Sequence, residues 1–198
     1  MSYAARIHDG EEGAPLLLAL HGTGGNETQF FDLARSLVPR AKVVSPRGDV
    51  SEFGAARFFR RTGEGIYDMA DLARAVEKMA SFVRSFGHDG PVHAFGYSNG
   101  ANILAATQMA HPDLFDRVGL LHPLIPWEPE PVDLTSRQVL ITAGRHDPIT
   151  PWHDSERLLA WYREQGATVS ETVHMGGHEL REEELSALKS LLSEHVAA

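Results

Sequence analysis

One serine in this sequence stands where a nucleophile is needed. The run Gly96-Tyr97-Ser98-Asn99-Gly100 follows an apolar stretch, residues 92–95, and leads into a helical pattern over 99–110. A serine on a sharp strand-to-helix turn is pushed out at the carboxyl end of a sheet, and small flanking residues let strand and helix approach closely. A helix beginning at Asn99 turns its positive end toward any anion that develops there. An ordinary Gly-rich turn can show the same letters, so the reading depends on what accompanies Ser98. A serine hydroxyl alone is a weak nucleophile and needs a base.

Where a serine sits on such an elbow, the chain order is serine, then Asp or Glu, then His. Asp147 follows the apolar run 139–142, in Gly144-Arg145-His146-Asp147-Pro148. His178 follows the last strand pattern, in His174-Met175-Gly176-Gly177-His178. Both lie just beyond strand ends, where open α/β sheets bind ligands. The chain has 11 histidines, so most are bystanders. His174 is the main rival base, and His146 is a weaker one because it neighbours the proposed acid. Asp154 is the rival acid, but it reads as the start of a helix, where Asp is common for capping reasons.

An acyl-transfer site also needs donors for the oxyanion. The amide of Asn99 is one candidate. The other is the amide of Thr23, in Leu20-His21-Gly22-Thr23-Gly24-Gly25 after the first apolar strand. That glycine run can also open a dinucleotide fingerprint, but Glu27 stands where Gly or Ala is required. His174 and His178 are four apart, as in a zinc helix. The glycines between them oppose a helix and no Glu follows His174, so no metal and no cofactor are expected.

These residues need a frame. Strands are expected at 15–20, 42–45, 92–95, 118–121, 139–142 and 168–173, most of them continuous apolar runs that suit strands buried on both faces. Helices are expected at 27–37, 68–86, 99–110, 154–165 and 179–196. In the second, Leu72, Val76, Met79 and Val83 share a face. The alternation predicts one α/β domain over residues 1–198, a mostly parallel doubly wound sheet. Four prolines in 122–136 mark a loop.

Composition limits the partners. With 27 acidic against 18 basic residues the net charge is −9, which opposes a nucleic-acid surface. No cysteine is present, so thiol nucleophiles and disulfides are excluded. The first apolar run is too short to span a bilayer, and a cytoplasmic protein without a membrane partner is expected.

The matching pieces together resemble the phospholipase/carboxylesterase family of α/β-hydrolases, in its acyl-protein-thioesterase-like branch. They are Leu20-His21-Gly22, the Ser98 motif, Gly144-Arg145-His146-Asp147-Pro148 and Gly177-His178, and the likeness runs over nearly the whole chain. Ser45-Pro46-Arg47-Gly48 and the 57–61 segment are similar to a bacterial subgroup of hydroquinone-associated hydrolases. The resemblance implies a minimal α/β-hydrolase fold with no lid domain. It also implies the triad Ser98, Asp147 and His178, and a serine carboxylesterase acting on small to medium acyl esters. A thioesterase, lactone hydrolase or peptidase would use the same scaffold, and a non-catalytic binding module is the rival outside that class. Thr23 departs from the larger apolar residue of many relatives, which alters the pocket rather than the amide.

Candidate substrate contacts are Arg57, Phe58, Arg60, Trp127 and Met175. Arginines beside Phe58 and Phe59 can hold an anionic or aromatic ester. Alternatively they pair with Glu64 or Asp68 and anchor a loop. Trp127, in the proline-rich loop, lines the acyl pocket or forms a homodimer contact.

Overall fold

Side-chain alternation decides what each strand residue meets. In β2 (Leu16–Leu20), Leu16, Leu18 and Leu20 point to one side and Leu17 and Ala19 to the other, and all five are fully buried. Burying each leucine contributes about 1.5–3 kcal/mol. A strand apolar on both faces must be covered twice, and this chain places helices on both sides of one sheet. The computed structural model describes residues 2–63 and 65–193.

The elements run β1 (Ala5–His8), β2, α1 (Phe31–Leu37), β3 (Lys42–Pro46), β4 (Val50–Glu52), β5 (Ala55–Arg57), β6 (Arg61–Gly63) and β7 (Ile66–Tyr67). They continue with α2 (Met69–Arg84), β8 (Val92–Tyr97), α3 (Asn99–Ala110), β9 (Arg117–Leu121), β10 (Gln138–Gly144), α4 (Trp152–Glu164), β11 (Thr168–His174) and α5 (Glu182–Ser193). The main sheet has seven strands in the order β1-β3-β2-β8-β9-β10-β11. Only β1 joins it antiparallel, through β3. Helices α1 and α5 cover one face, and α2, α3 and α4 cover the other.

From β2 the chain steps outward to β3 and later returns on the other side as β8. That reversal opens a crevice beyond the carboxyl ends of β2 and β8, where ligands bind in such sheets. The insertions there are short: the hairpins β4–β5 and β6–β7, and the loop 122–136. Tyr67 and Asn102 pin that loop, since Asn102 accepts the Leu124 N–H at 2.6 Å and Tyr67 donates to the Leu124 carbonyl at 2.8 Å. No helix among the described residues is long and apolar enough to cross a membrane.

Every expected strand is present, most a residue or two longer than its apolar run. Strand β1 and both hairpins were not expected. In β1 the side chains are exposed or half-buried, and the hairpin strands are two or three residues long, so neither leaves an apolar period. The helix expected at 27–37 starts only at Phe31, because the Asn26 carboxamide accepts the Thr28 N–H at 2.8 Å and turns the chain first. The helix expected at 154–165 starts at Trp152, so Asp154 lies inside its first turn. The helix expected at 179–196 starts at Glu182. Glu184 accepts the Arg181 N–H at 2.7 Å, while Glu179 binds back to the Gly177 amide. Its expected end at Val196 lies outside the described residues.

The end of β2 and helix α3 approach so closely that a Cβ on Gly100 would stand 2.5 Å from the carbonyl oxygens of both Leu20 and His21. Neither contact is with a flexible side chain. Gly100→Ala is therefore expected to lower unfolding stability by about 1–3 kcal/mol. Gly63→Ala, whose methyl meets only Ile66 side-chain atoms from 3.4 Å outward, stays within about 0.5 kcal/mol. Equal midpoints in urea for Gly100→Ala and wild type would refute the close-approach argument.

Candidate functional site

Ser98 is the first residue beyond β8, and its backbone is left-handed, with φ 52° and ψ −116°. Such a conformation costs a non-glycine residue roughly 1–3 kcal/mol and persists only where surroundings impose it. Here the Ser98 N–H donates to the Leu121 carbonyl at 2.9 Å and its own carbonyl accepts the Asn102 N–H at 2.9 Å. The strand end and the first turn of α3 thus clamp the residue from both sides.

The three residues singled out for acyl transfer come together. His178 Nε2 lies 2.9 Å from Ser98 Oγ, and His178 Nδ1 lies 2.6 Å from Asp147 Oδ2. The other Asp147 oxygen accepts the amides of Ile149 and Thr150 at 2.8 and 2.9 Å. Burial alone would raise the Asp147 carboxyl. Donors from His122, His178 and the two amides reverse this and hold it well below the usual carboxylate range. Tyr97 donates its hydroxyl to the His178 carbonyl at 2.5 Å. Burial, helped by Asp147, Glu184 and Glu179, pushes that phenol up to about 12, so it is a neutral donor.

The proposed oxyanion donors face the same cavity. Asn99 is the first residue of α3, so its N–H has no acceptor within the helix. Its buried side chain accepts the Phe58 N–H at 2.8 Å. In the loop after β2 the Gly22, Gly24 and Gly25 amides are engaged, whereas Thr23 N–H has no acceptor among the described residues. His21 holds that loop. It is fully buried, its Nδ1 donates to the Gly22 carbonyl at 2.7 Å, and its Nε2 accepts the Gly48 N–H at 2.9 Å.

Ser98, His178, Thr23 and Asn99 line an open cavity of about 300 Å³ with Arg57, Arg61, Tyr67 and Leu124. Arg57 is almost fully buried; it donates to Thr23 Oγ1 at 2.7 Å and lies 3.4 Å from Glu52. Arg61 shares Glu52, with Nε at 2.9 Å.

Four of the expected substrate contacts stand elsewhere. Phe58 is fully buried in the core, between His21 and Tyr3, because its amide is drawn inward by Asn99. Arg60 turns to solvent and pairs with Asp68 and Asp71 at 3.2 and 3.4 Å. Trp127 packs edge-on against Tyr67, outside the cavity. Met175 is exposed, and its carbonyl accepts from His146 Nδ1 at 2.6 Å. Glu64, one expected arginine partner, lies outside the described residues. The rivals are occupied as well: His174 faces Glu184 at 3.2 Å, and Asp154 pairs with Arg157 at 2.8 Å.

Sequence reasoning missed His122, Glu184, Tyr97 and Asn102, and it singled out the 57–61 segment without naming Arg61 itself as a contact. His122 is the most consequential. It is fully buried, with Nδ1 2.9 Å from Asp147 Oδ2 and Nε2 2.9 Å from Glu184 Oε1. The available signal was its place one residue past β9, at the same sheet edge as Ser98 and Asp147. Burial alone would lower its pKa, but the two carboxylates outweigh burial and push it up to about 9.

No family model matches the sequence. Among curated proteins the chain is 36% identical over 187 residues to "Putative hydrolase MhqD" of Bacillus subtilis (strain 168), covering 91% of this chain and 94% of that protein. Among solved structures it is similar to the protein Atu2452 of Agrobacterium tumefaciens str. C58, a protein of unknown function, at 51% identity and a TM-score of 0.93, with 96% of each chain covered. It is also similar to the Bacillus cereus carboxylesterase, at 34% identity and a TM-score of 0.91, with 96% of this chain and 93% of that one covered.

A raised folded-state pKa stabilises the fold below the unfolded value and is lost as pH climbs through the folded one. For His122 that window runs from the ordinary 6.5 to about 9. Denaturation midpoints are expected to fall across it in the wild type and to stay flatter in His122→Gln. Parallel curves would show that His122 is not the group responsible.

Proposed function

The chain belongs to the phospholipase/carboxylesterase family of α/β-hydrolases and is a hydrolase, and from that premise we propose that it is a serine carboxylesterase working through Ser98, His178 and Asp147. One observation carries the reading: the unbroken hydrogen-bond chain from Ser98 Oγ through His178 to Asp147, mounted on a strained left-handed turn.

Ser98 attacks the ester carbonyl while His178 Nε2 accepts its proton. Asp147 keeps the imidazole in the Nδ1–H form and stabilises the imidazolium. The amides of Thr23 and Asn99 receive the oxyanion, and the dipole of α3 adds to their effect. His178 then protonates the departing alcohol, leaving an acyl group on Ser98. A water activated by the same imidazole releases the acid.

The substrate is a small-molecule ester with a small to medium acyl part, because a cavity of about 300 Å³ is at the small end for ligand sites. The wall formed by Arg57 and Arg61, with Glu52 between them, favours an ester that carries a negative charge beside the scissile bond. Arg60, which turns outward, takes no part in this.

On p-nitrophenyl esters Ser98→Ala is expected to lose roughly 10⁴- to 10⁶-fold in kcat, as in other triads. A loss below about tenfold would remove Ser98 from the reaction. For a monoester of a dicarboxylic acid, Arg61→Gln is expected to raise KM by about fivefold, near 1 kcal/mol, with neutral esters unaffected. An equal rise on both substrates would exclude the anionic preference.

A further inference from the structure

The histidines and acids behind Asp147 form a chain that the reaction cycle above does not use. His122, from the end of β9, stands between Asp147 and Glu184, and Glu184, from α5, also faces His174 Nε2 at 3.2 Å. All are buried: His122 and Glu184 are 0% exposed and His174 4%. His122 is also held in the left-handed region, φ 51°, with its N–H donating to the Thr142 carbonyl at 3.1 Å. A strained, fully buried imidazole is not a solvated bystander.

His122, His174 and Glu184 bring three ligand atoms within 4.8 Å of one another, which is a metal-like cluster. The hydrogen bonds argue against that use. The Gly176 N–H donates to His174 Nδ1 at 3.0 Å, so a neutral His174 carries its proton on Nε2. That proton sits on the nitrogen 3.2 Å from Glu184 Oε2, so this nitrogen is not available as a ligand. Glu184 Oε2 accepts in turn from the Arg181 N–H at 2.7 Å, and despite burial its carboxyl, with His122 beside Oε1, is held below the usual range, so it is ionised. His122 therefore has an ionised carboxylate 2.9 Å from each ring nitrogen. Nδ1 is hydrogen-bonded to Asp147 and Nε2 lies beside a second carboxylate oxygen, a pair of anions that favours a doubly protonated ring.

We propose that His122 is a positioning residue of the ester hydrolysis: as a buried imidazolium between Asp147 and Glu184 it fixes the Asp147 carboxylate against His178 and offsets one of the two negative charges behind the base. This rests on the triad reading above. The groups that face His122 are Tyr97 from β8, Asp147 from the loop after β10, His174 from the end of β11, His178 from the loop beyond it, and Glu184 from α5. Asp147 and Glu184 are the anions among them. Without the cation His178 would face both uncompensated, and its protonated, inactive form would gain. With His122 charged, the net charge behind the base equals that of a single carboxylate.

Two measurements test this. The first is nitrogen NMR of the histidine rings in the wild-type protein at pH 7.5. The ring with contacts to Tyr97 and His178 is expected to show two protonated nitrogens, and His174 one protonated and one bare. A bare nitrogen on His122 would overturn the proposal whether or not any variant folds. The second is the pH profile of kcat/KM. In His122→Gln the acidic limb is expected to move up by about one pH unit, the usual effect of one nearby charge. In the double variant with Glu184→Gln the limb is expected to return, since cation and distal anion are removed together. A limb that does not move in the single variant, or moves equally in both, would overturn the charge-offset role. Ser98→Ala in the same assay separates the failures. If it remains active the triad reading falls too, and if it is dead only the His122 inference is at stake.

Discussion

A carboxylate taken out of water must be met by donors, and Asp147 is met by two imidazoles and two backbone amides. The effective cost of burying such a charge is several kcal/mol unless those partners are in place. Each partner arrives on a different part of the fold. His122 comes from the end of β9, His178 from the loop after β11, and the Ile149 and Thr150 amides from the turn leading to α4. Glu184, on α5, closes the far side of His122. The carboxyl edge of the sheet is therefore organised around one anion. The register of β9, β10 and β11 is constrained there by charge as well as by the apolar core.

The strain at Ser98 belongs to the same arrangement. A left-handed serine has no local preference for its conformation, so the neighbours must supply it. Strand β9 accepts its amide through Leu121, and the next residue in that strand's direction is His122. The element that holds the Ser98 turn is thus the element that carries His122 behind Asp147. The missing Cβ of Gly100 then lets α3 approach the end of β2 this closely. Three adjacent strands position one hydroxyl, and none of them does so alone.

Much of this was legible in the sequence because the signals were periodic or punctuated. The apolar runs gave the strands, the stripe through Leu72, Val76, Met79 and Val83 gave α2, and glycines marked the turn at Ser98. His122 was illegible for a different reason. A histidine after Leu120 and Leu121 and before a proline-rich loop reads as the start of a loop, and its partners are 25 and 62 residues away. Pairing across that distance is a property of strand order, which composition does not encode. Phe58 failed in the opposite direction. Its neighbours Arg57 and Arg61 reach the cavity, but in so short and irregular a segment sequence alternation could not tell which side chains point inward.

That irregular segment ties the substrate wall to the chemistry. Asn99, whose amide is one of the two donors proposed for the oxyanion, accepts the Phe58 N–H with its side chain. Arg57, one residue before, donates to Thr23 Oγ1, and the Thr23 amide is the other donor proposed for the oxyanion. Both proposed donors are thus fastened, through a single side chain each, to residues 57 and 58, at the start of the irregular stretch that joins the two hairpins. A shift of that wall by a different substrate would be felt by both amides together. Preorganised donors are effective because they do not reorganise during the reaction. On the proposed reading, binding at Arg57 and stabilisation at Thr23 and Asn99 are accordingly one mechanical unit. The identity of the ester that fits the wall then affects kcat as well as KM.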